Sequence, residues 1–220
     1  MKILALETSG KSLSTALNEN GKTVAEFFYD HGHIHSEMLI PSIERILEDT
    51  GNTYKDIDKF AVSAGPGSFT GIRVAMTAVK TLAQSLNKPA AVVDTLTVLK
   101  NALNIKGIKI VPAIDALRNE VYIKIGKKVI IKSIDSFADS LKAYKNRVLI
   151  VGSAAISYRN KLAKTLGNYS VSLPETFHLP KASVLAVSAQ FEKDFPFDKV
   201  EPLYIRRSWA EETQKRHCTK

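Results

Sequence analysis

Two sets of residues have the types and spacing needed to handle phosphate or a metal ion. The first is the stretch AGPGSFTGIR, residues 64–73, with glycines at 65, 67 and 71, a proline at 66 and hydroxyls at 68 and 70. An apolar run precedes it and a helical pattern follows. Successive backbone N–H groups at the start of a helix favour an anion, which makes Gly65, Gly67 and Ser68 candidate phosphate contacts. The stretch lacks the Gly-Lys-Ser/Thr ending of a P-loop, because Ile72 and Arg73 follow Gly71. Glycine also permits close backbone approach, so spacing alone leaves phosphate binding and tight packing equally open.

The second set is a pair of carboxylates, Glu7 in ETSG and Asp115 in AIDA, each closing an apolar run. With Ser9 beside the first, they could hold a metal through water on opposite sides of a cleft. The alternative is strand-end carboxylates that bond to backbone amides in turns. Other chemistries find less support. His31 and His35 are four apart, but Gly32 stands between them in a predicted loop, and no glutamate follows the first as a zinc-protease helix requires. His178 lies in another predicted loop without an evident partner, and no nucleophile elbow supports Ser/His/Asp catalysis. No metal site and no catalytic residue are assigned.

The elements that must position these groups form a repeated order. Strands are predicted at 2–7, 12–17 and 23–29, with Asn20-Gly21 supplying the two positive-φ positions of a tight hairpin. A helix follows, capped by Ser36, with Leu39, Ile43, Ile46 and Leu47 on one face, Pro41 in its first turns and Gly51 ending it. Next come a strand at 59–64, a helix at 70–87, a strand at 90–93 and a helix at 95–103. The second half repeats this order without repeating the residues. Its strands are at 109–114, 121–125 and 129–134, its helix at 136–144, then strand 147–151, helix 154–166, strand 169–173 and helix 182–192. Duplication implies two similar α/β lobes with mixed sheets, residues 1–104 and 105–220, and a cleft between them. Leu203, Ile205 and Trp209 are expected to dock near the chain end.

The helix at 70–87 is unusual in charge. Ile72, Ala75, Met76, Val79, Leu82, Ala83 and Leu86 cover one broad face, while Val74 and Ala78 lie elsewhere around the wheel and Thr77, Thr81 and Ser85 add other small side chains; Arg73 and Lys80 are its only charges. So little charge suits either the central helix of a core or a helix whose second face meets another protein, and in so small a lobe a partner is the favoured reading.

Composition bounds the rest. The 220 residues are 45% hydrophobic and carry a formal net charge of +9 with a pI near 9.5. That balance favours an anionic partner, yet the basic residues form loose clusters without interleaved aromatics, so direct nucleic-acid readout is not supported. Cys218 stands alone, which suits a reducing compartment. No run approaches the roughly 18 apolar residues of a membrane span, and the N-terminus is too short an apolar run for a signal peptide. A cytoplasmic protein without membrane contact is expected.

Several segments together resemble one family. ILALETS, HSEMLIP, AGPGSFTGIR, AIDALRNEVY and EPLYIRR resemble the TsaB (YeaZ) family in order and position, over nearly the whole chain. The resemblance implies an actin-like (ASKHA, ribonuclease H-like) α/β fold. It also implies a non-catalytic subunit that dimerises with TsaD, and acts with TsaE to place a threonylcarbamoyl group on N6 of adenosine 37 in tRNAs reading ANN codons. TsaD carries metal-binding histidines in an HxxxH pattern, whereas the corresponding stretch here, VVDTLTVLK at 92–100, has none. Glu7 stands where the family usually has aspartate. Family members meet TsaD through the two first-lobe helices, which makes Met38, Leu39, Val74, Ala78 and Thr81 the expected contacts. The same surface could close a homodimer when the chain is alone, and tRNA would be reached through the complex. No cofactor is required of this chain, with ATP or ADP and magnesium placed at the cleft or at the complex interface. The rival reading is a small actin-like ATPase or kinase working through its own cleft.

Overall fold

The computed structural model describes residues 1–30, 35–144, 147–167, 170–171 and 173–205. The histidine loop at 31–34 and the tail from 206, with Trp209 and Cys218, lie outside the described residues, as does the side chain of His35.

The first sheet contains β1 (Lys2–Glu7), β2 (Leu13–Glu19), β3 (Lys22–Tyr29), β4 (Lys59–Ser63) and β5 (Ala90–Val93), in the order β3-β2-β1-β4-β5. The second contains β6 (Ile108–Asp115), β7 (Glu120–Ile125), β8 (Lys128–Ser133), β9 (Arg147–Val151) and β10 (Ser170–Val171), in the order β8-β7-β6-β9-β10. Each sheet is therefore a meander joined to parallel strands, and β1 and β6 hold equivalent central places. β1 pairs antiparallel with β2, Leu4 opposite Leu17, and parallel with β4, Leu4 opposite Phe60. β6 does the same with β7 and β9. The first hairpin turns as its residues dictate, with Asn20 at φ 51 and Gly21 at φ 88.

Because β1 is buried on both faces, its apolar run is unbroken, and alternate residues serve different layers. Leu4 and Leu6 face α1 (His35–Asp49) and α2 (Phe69–Leu86), packing with Phe60, Val62, Leu39, Ile43, Ile72, Met76 and Val79. Ile3 and Ala5 face the other way, onto Ala182, Leu185, Ala186 and Ala189 of α7 (Ala182–Ala189). That helix comes from the second half of the sequence. Reciprocally, Leu96 and Leu99 of α3 (Thr95–Asn101) pack on Ile114, Leu149 and Val151 of the second sheet. The second sheet's outer face is covered by α4 (Ile134–Leu141), α5 (Ser153–Ser157) and α6 (Arg159–Leu166), through Phe137, Leu141, Ala154, Leu162 and Leu166.

A boundary between 104 and 105 thus divides the strands but not the lobes. The last helix of each half crosses to the other sheet, because a mixed sheet with two apolar faces needs a cover on both. The chain end also returns to the first lobe. Ala90 and Phe195 form an antiparallel bridge, Val200 is buried in the first core, and the Leu203 N–H donates to Ala64 O at 2.9 Å. Leu203 docks by its backbone; its side chain is left exposed.

Three local expectations change. Ser36 is helical rather than a cap, so Pro41 becomes the seventh residue of α1 and not part of its first turn. The helix expected at 154–166 breaks at Tyr158, whose φ of −115 and ψ of 22 end α5 and start α6. The helix expected at 136–144 begins earlier, since the Ser133 hydroxyl accepts from Ser136 N and caps α4 at Ile134. No helix among the described residues is long and apolar enough to cross a membrane.

Candidate partner interface and interlobe cleft

A cavity of about 730 Å³ lies between the lobes, lined by the loops that follow β1 and β4, the end of β6, residues of α2, α3 and α5, and the segment 175–180. Ser9, Gly67, Ser68 and Asp115 line it; Glu7 and Gly65 do not. Glu7 is fully buried behind its own loop, where Oε1 accepts from the Ser9 N–H at 2.7 Å and from the Ser9 hydroxyl at 2.5 Å. Thr95 Oγ1 donates to Ser9 Oγ at 3.0 Å and lies 2.8 Å from Ser63 Oγ, so the carboxyl anchors a hydroxyl chain. Its second oxygen has no hydrogen-bond partner among the described residues. Burial pushes the Glu7 pKa above its ordinary 4.5, and the Ser9 hydrogen bonds oppose the shift more weakly.

The glycine stretch is closed by contacts within the chain. A Cβ on Gly67 would stand 2.1 Å from Ser9 O, and the Ser68 N–H donates to that same oxygen at 2.7 Å. The Ser68 hydroxyl accepts from Gly71 N at 3.2 Å, making Ser68 the N-cap of α2, and Thr8 Oγ1 donates to Gly71 O at 2.6 Å. Gly67 is needed for the approach of two loops. On the far wall, Asp115 is half-buried, with Oδ1 accepting from Leu117 N at 2.8 Å and from the Tyr158 hydroxyl at 3.0 Å. The helix break at Tyr158 is what aims that hydroxyl. Glu7 and Asp115 therefore close equivalent strands, but only Asp115 reaches the cleft, and the pair does not fit a divalent ion held between them. Among the described residues, no three His, Cys, Asp or Glu side chains come together as metal ligands. Asp94, in the stretch 92–100, accepts from Thr97 N at 2.9 Å and pairs with Lys124 of β7 at 2.5 Å, tying α3 to the second lobe.

His178 was not singled out by spacing, yet it lines the cavity and is 4% exposed. Its Nε2 lies 3.3 Å from Leu173 O and its Nδ1 has no partner among the described residues. Burial lowers its pKa below the ordinary 6.5. The 174–180 segment that carries it packs against α5 and, at Pro180, beside Gly10, and no local pattern announces those contacts.

The second feature is a groove of about 540 Å³ between α1 and α2. Leu39, Ile40, Phe69, Val74 and Ala78 supply its apolar lining, Ser36, Thr70 and Thr77 its hydroxyls, and Arg73 its single charge. Ile40 is 42% and Phe69 49% exposed. The structure brings Val74 and Ala78 together in this groove, both half-buried. Leu39 forms its floor and is 2% exposed, so its side chain is shared with the core. Met38 packs partly against the core, and Thr81 is exposed; both lie outside the groove lining. Helical spacing identified the charge-poor helix, but it did not identify Ile40 or Phe69, which face outward only because of how each helix rotates onto the sheet.

Comparison with known proteins places this geometry. A family model described as TsaD: tRNA N6-adenosine threonylcarbamoyltransferase matches residues 31–211. The tRNA threonylcarbamoyladenosine biosynthesis protein TsaB of Bacillus subtilis (strain 168) is 30% identical, over 96% of this chain and 96% of that protein. The chain belongs to the TsaB family. The TsaB of Escherichia coli (strain K12) is 36% identical over 56% of this chain and 53% of that protein. A Pseudomonas aeruginosa crystal structure described as similar to the peptidase YeaZ superposes with a TM-score of 0.76 at 24% identity, covering 93% of this chain and 99% of that one. The fold is the actin-like α/β fold with two lobes of mixed sheets.

Proposed function

We propose that this chain is the non-catalytic subunit that pairs with the threonylcarbamoyltransferase TsaD in tRNA threonylcarbamoyladenosine biosynthesis, and that the α1–α2 groove is the surface it offers. The observation that carries the reading is the second face of α2. Its inner residues Ile72, Ala75, Met76 and Val79 are already in the core, yet Phe69, Val74 and Ala78 continue an apolar surface outward to Ile40. Such a surface on a small soluble lobe marks an interaction site. A relative named TsaB and a family model named for TsaD support the choice of TsaD as partner.

The arrangement of the cleft agrees with a supporting role. Glu7 is spent on Ser9, and the loop at Gly67 is bonded to its neighbour. In the cytoplasm, TsaE and tRNA reach the chain through the pair with TsaD. When the chain is alone, a second copy covers the same groove. Reconstituted modification of an ANN-reading tRNA with TsaC, TsaD and TsaE tests the reading. Omitting this chain should remove most product; undiminished product would reject the role.

A further inference from the structure

At one end of the α1–α2 groove stand three side chains that no core requires. Phe69 and Arg73 lie one turn apart on α2, and Tyr204 arrives from the chain end, held there by the hydrogen bond from Leu203 N to Ala64 O. The Arg73 guanidinium lies 3.9 Å from the centroid of the Phe69 ring and 5.8 Å from that of Tyr204. The two rings are 5.8 Å apart, tilted by 41°. Arg73 Nε donates to the Tyr204 hydroxyl at 3.0 Å. Phe69 is 49% and Tyr204 55% exposed, so burial of apolar surface does not explain the cluster.

What the cluster accomplishes is orientation. A free arginine loses much side-chain entropy when it is fixed, and stacking plus one hydrogen bond have already fixed this one. With Nε engaged, the edge formed by the two terminal nitrogens is left over, and neither nitrogen has a hydrogen bond or ion pair to any described residue. That edge is the fork which matches a carboxylate with two parallel hydrogen bonds. Arg73 is also the only charged residue lining the groove among the described residues. Nucleic-acid backbone binding draws on several cations acting together, whereas Arg73 is the one cation among the described residues that line the groove. A single oriented guanidinium beside apolar lining fits a protein surface with one carboxylate at the margin of an apolar patch.

We propose that Arg73, held by Phe69 and Tyr204, receives an aspartate or glutamate of the partner subunit at the end of the α1–α2 groove and fixes the register of the two helices on that partner. The inference rests on the pairing with TsaD proposed above. It is tested by titrating the cognate TsaD subunit against the full chain and its Arg73→Gln, Arg73→Lys and Tyr204→Phe variants at low and high salt. Both positions are exposed, and unchanged thermal melts would show that the variants fold. Arg73→Gln should weaken binding by roughly tenfold or more and flatten its salt dependence. Arg73→Lys should restore part of the salt dependence but little of the affinity, since lysine cannot offer the fork. Tyr204→Phe should weaken binding by a few fold while retaining the salt dependence. Arg73→Gln that binds TsaD like the parent, while Val74→Asp does not bind, would overturn this inference and leave the pairing intact. A parent chain that does not bind TsaD at all would overturn both. Loss of tRNA affinity in Arg73→Gln with TsaD affinity unchanged would assign the guanidinium to phosphate instead.

Discussion

Glu7 shows what a strand-end carboxyl does when its loop folds back over it. Its acceptor capacity goes to the Ser9 N–H and hydroxyl, and burial keeps its pKa above the ordinary 4.5. An acid whose folded pKa is raised holds a proton that the unfolded chain releases. Its favourable contribution is therefore complete below the unfolded value and is lost as pH rises through the folded one. Glu7→Gln keeps an acceptor oxygen for Ser9 and removes the titration. We expect thermal melts of Glu7→Gln to match the parent near pH 4 and to exceed it at neutral pH. A variant that is less stable at neutral pH would show that the ionised carboxylate has a partner in solution, such as a bound cation. Gly67 is a second residue-scale case. An alanine there puts Cβ against Ser9 O, and moving that backbone should cost about 1–3 kcal/mol, read as a lower denaturant midpoint with little change in slope. An unchanged midpoint would mean the two loops are free to separate.

At the scale of elements, α2 joins the two halves of the account, because one helix serves the core with one face and the groove with the other. Val74→Asp and Ala78→Arg place charge on the groove side, where each parent residue is half-buried. Both should leave the fold intact by circular dichroism and abolish co-elution with TsaD; retained co-elution would remove this groove from the interface. The two faces of α2 were legible in the sequence, since the scarcity of charge around its wheel, Arg73 and Lys80 apart, is a local property. The strands were legible for the same reason: Lys2–Glu7, Ala90–Val93 and Arg147–Val151 are apolar runs between clear breaks, and the structure keeps those limits. Contacts far apart in sequence were not. Nothing local says that Ala182–Ala189 crosses to the first sheet or that Tyr158 breaks its helix to meet Asp115. The burial of Glu7 was hidden too, because a carboxylate ending a strand reads alike whether its loop opens to the cleft or closes over it.

Across the whole molecule, two sheets of the same strand order exchange their last helices, so each lobe is completed by the other half of the chain. The exchange, together with the Lys124–Asp94 ion pair, couples the lobes and favours a scaffold that presents a fixed surface over one that opens and closes. Hydrogen exchange of the full chain with and without TsaD measures this most directly, since every peptide reports at once. Protection confined to 36–40 and 69–81, with the Glu7–Gly10 and Asp115 loops unchanged, is the result expected of a subunit that lends its α1–α2 groove. Protection at the cleft loops with both helices unaffected would contradict it.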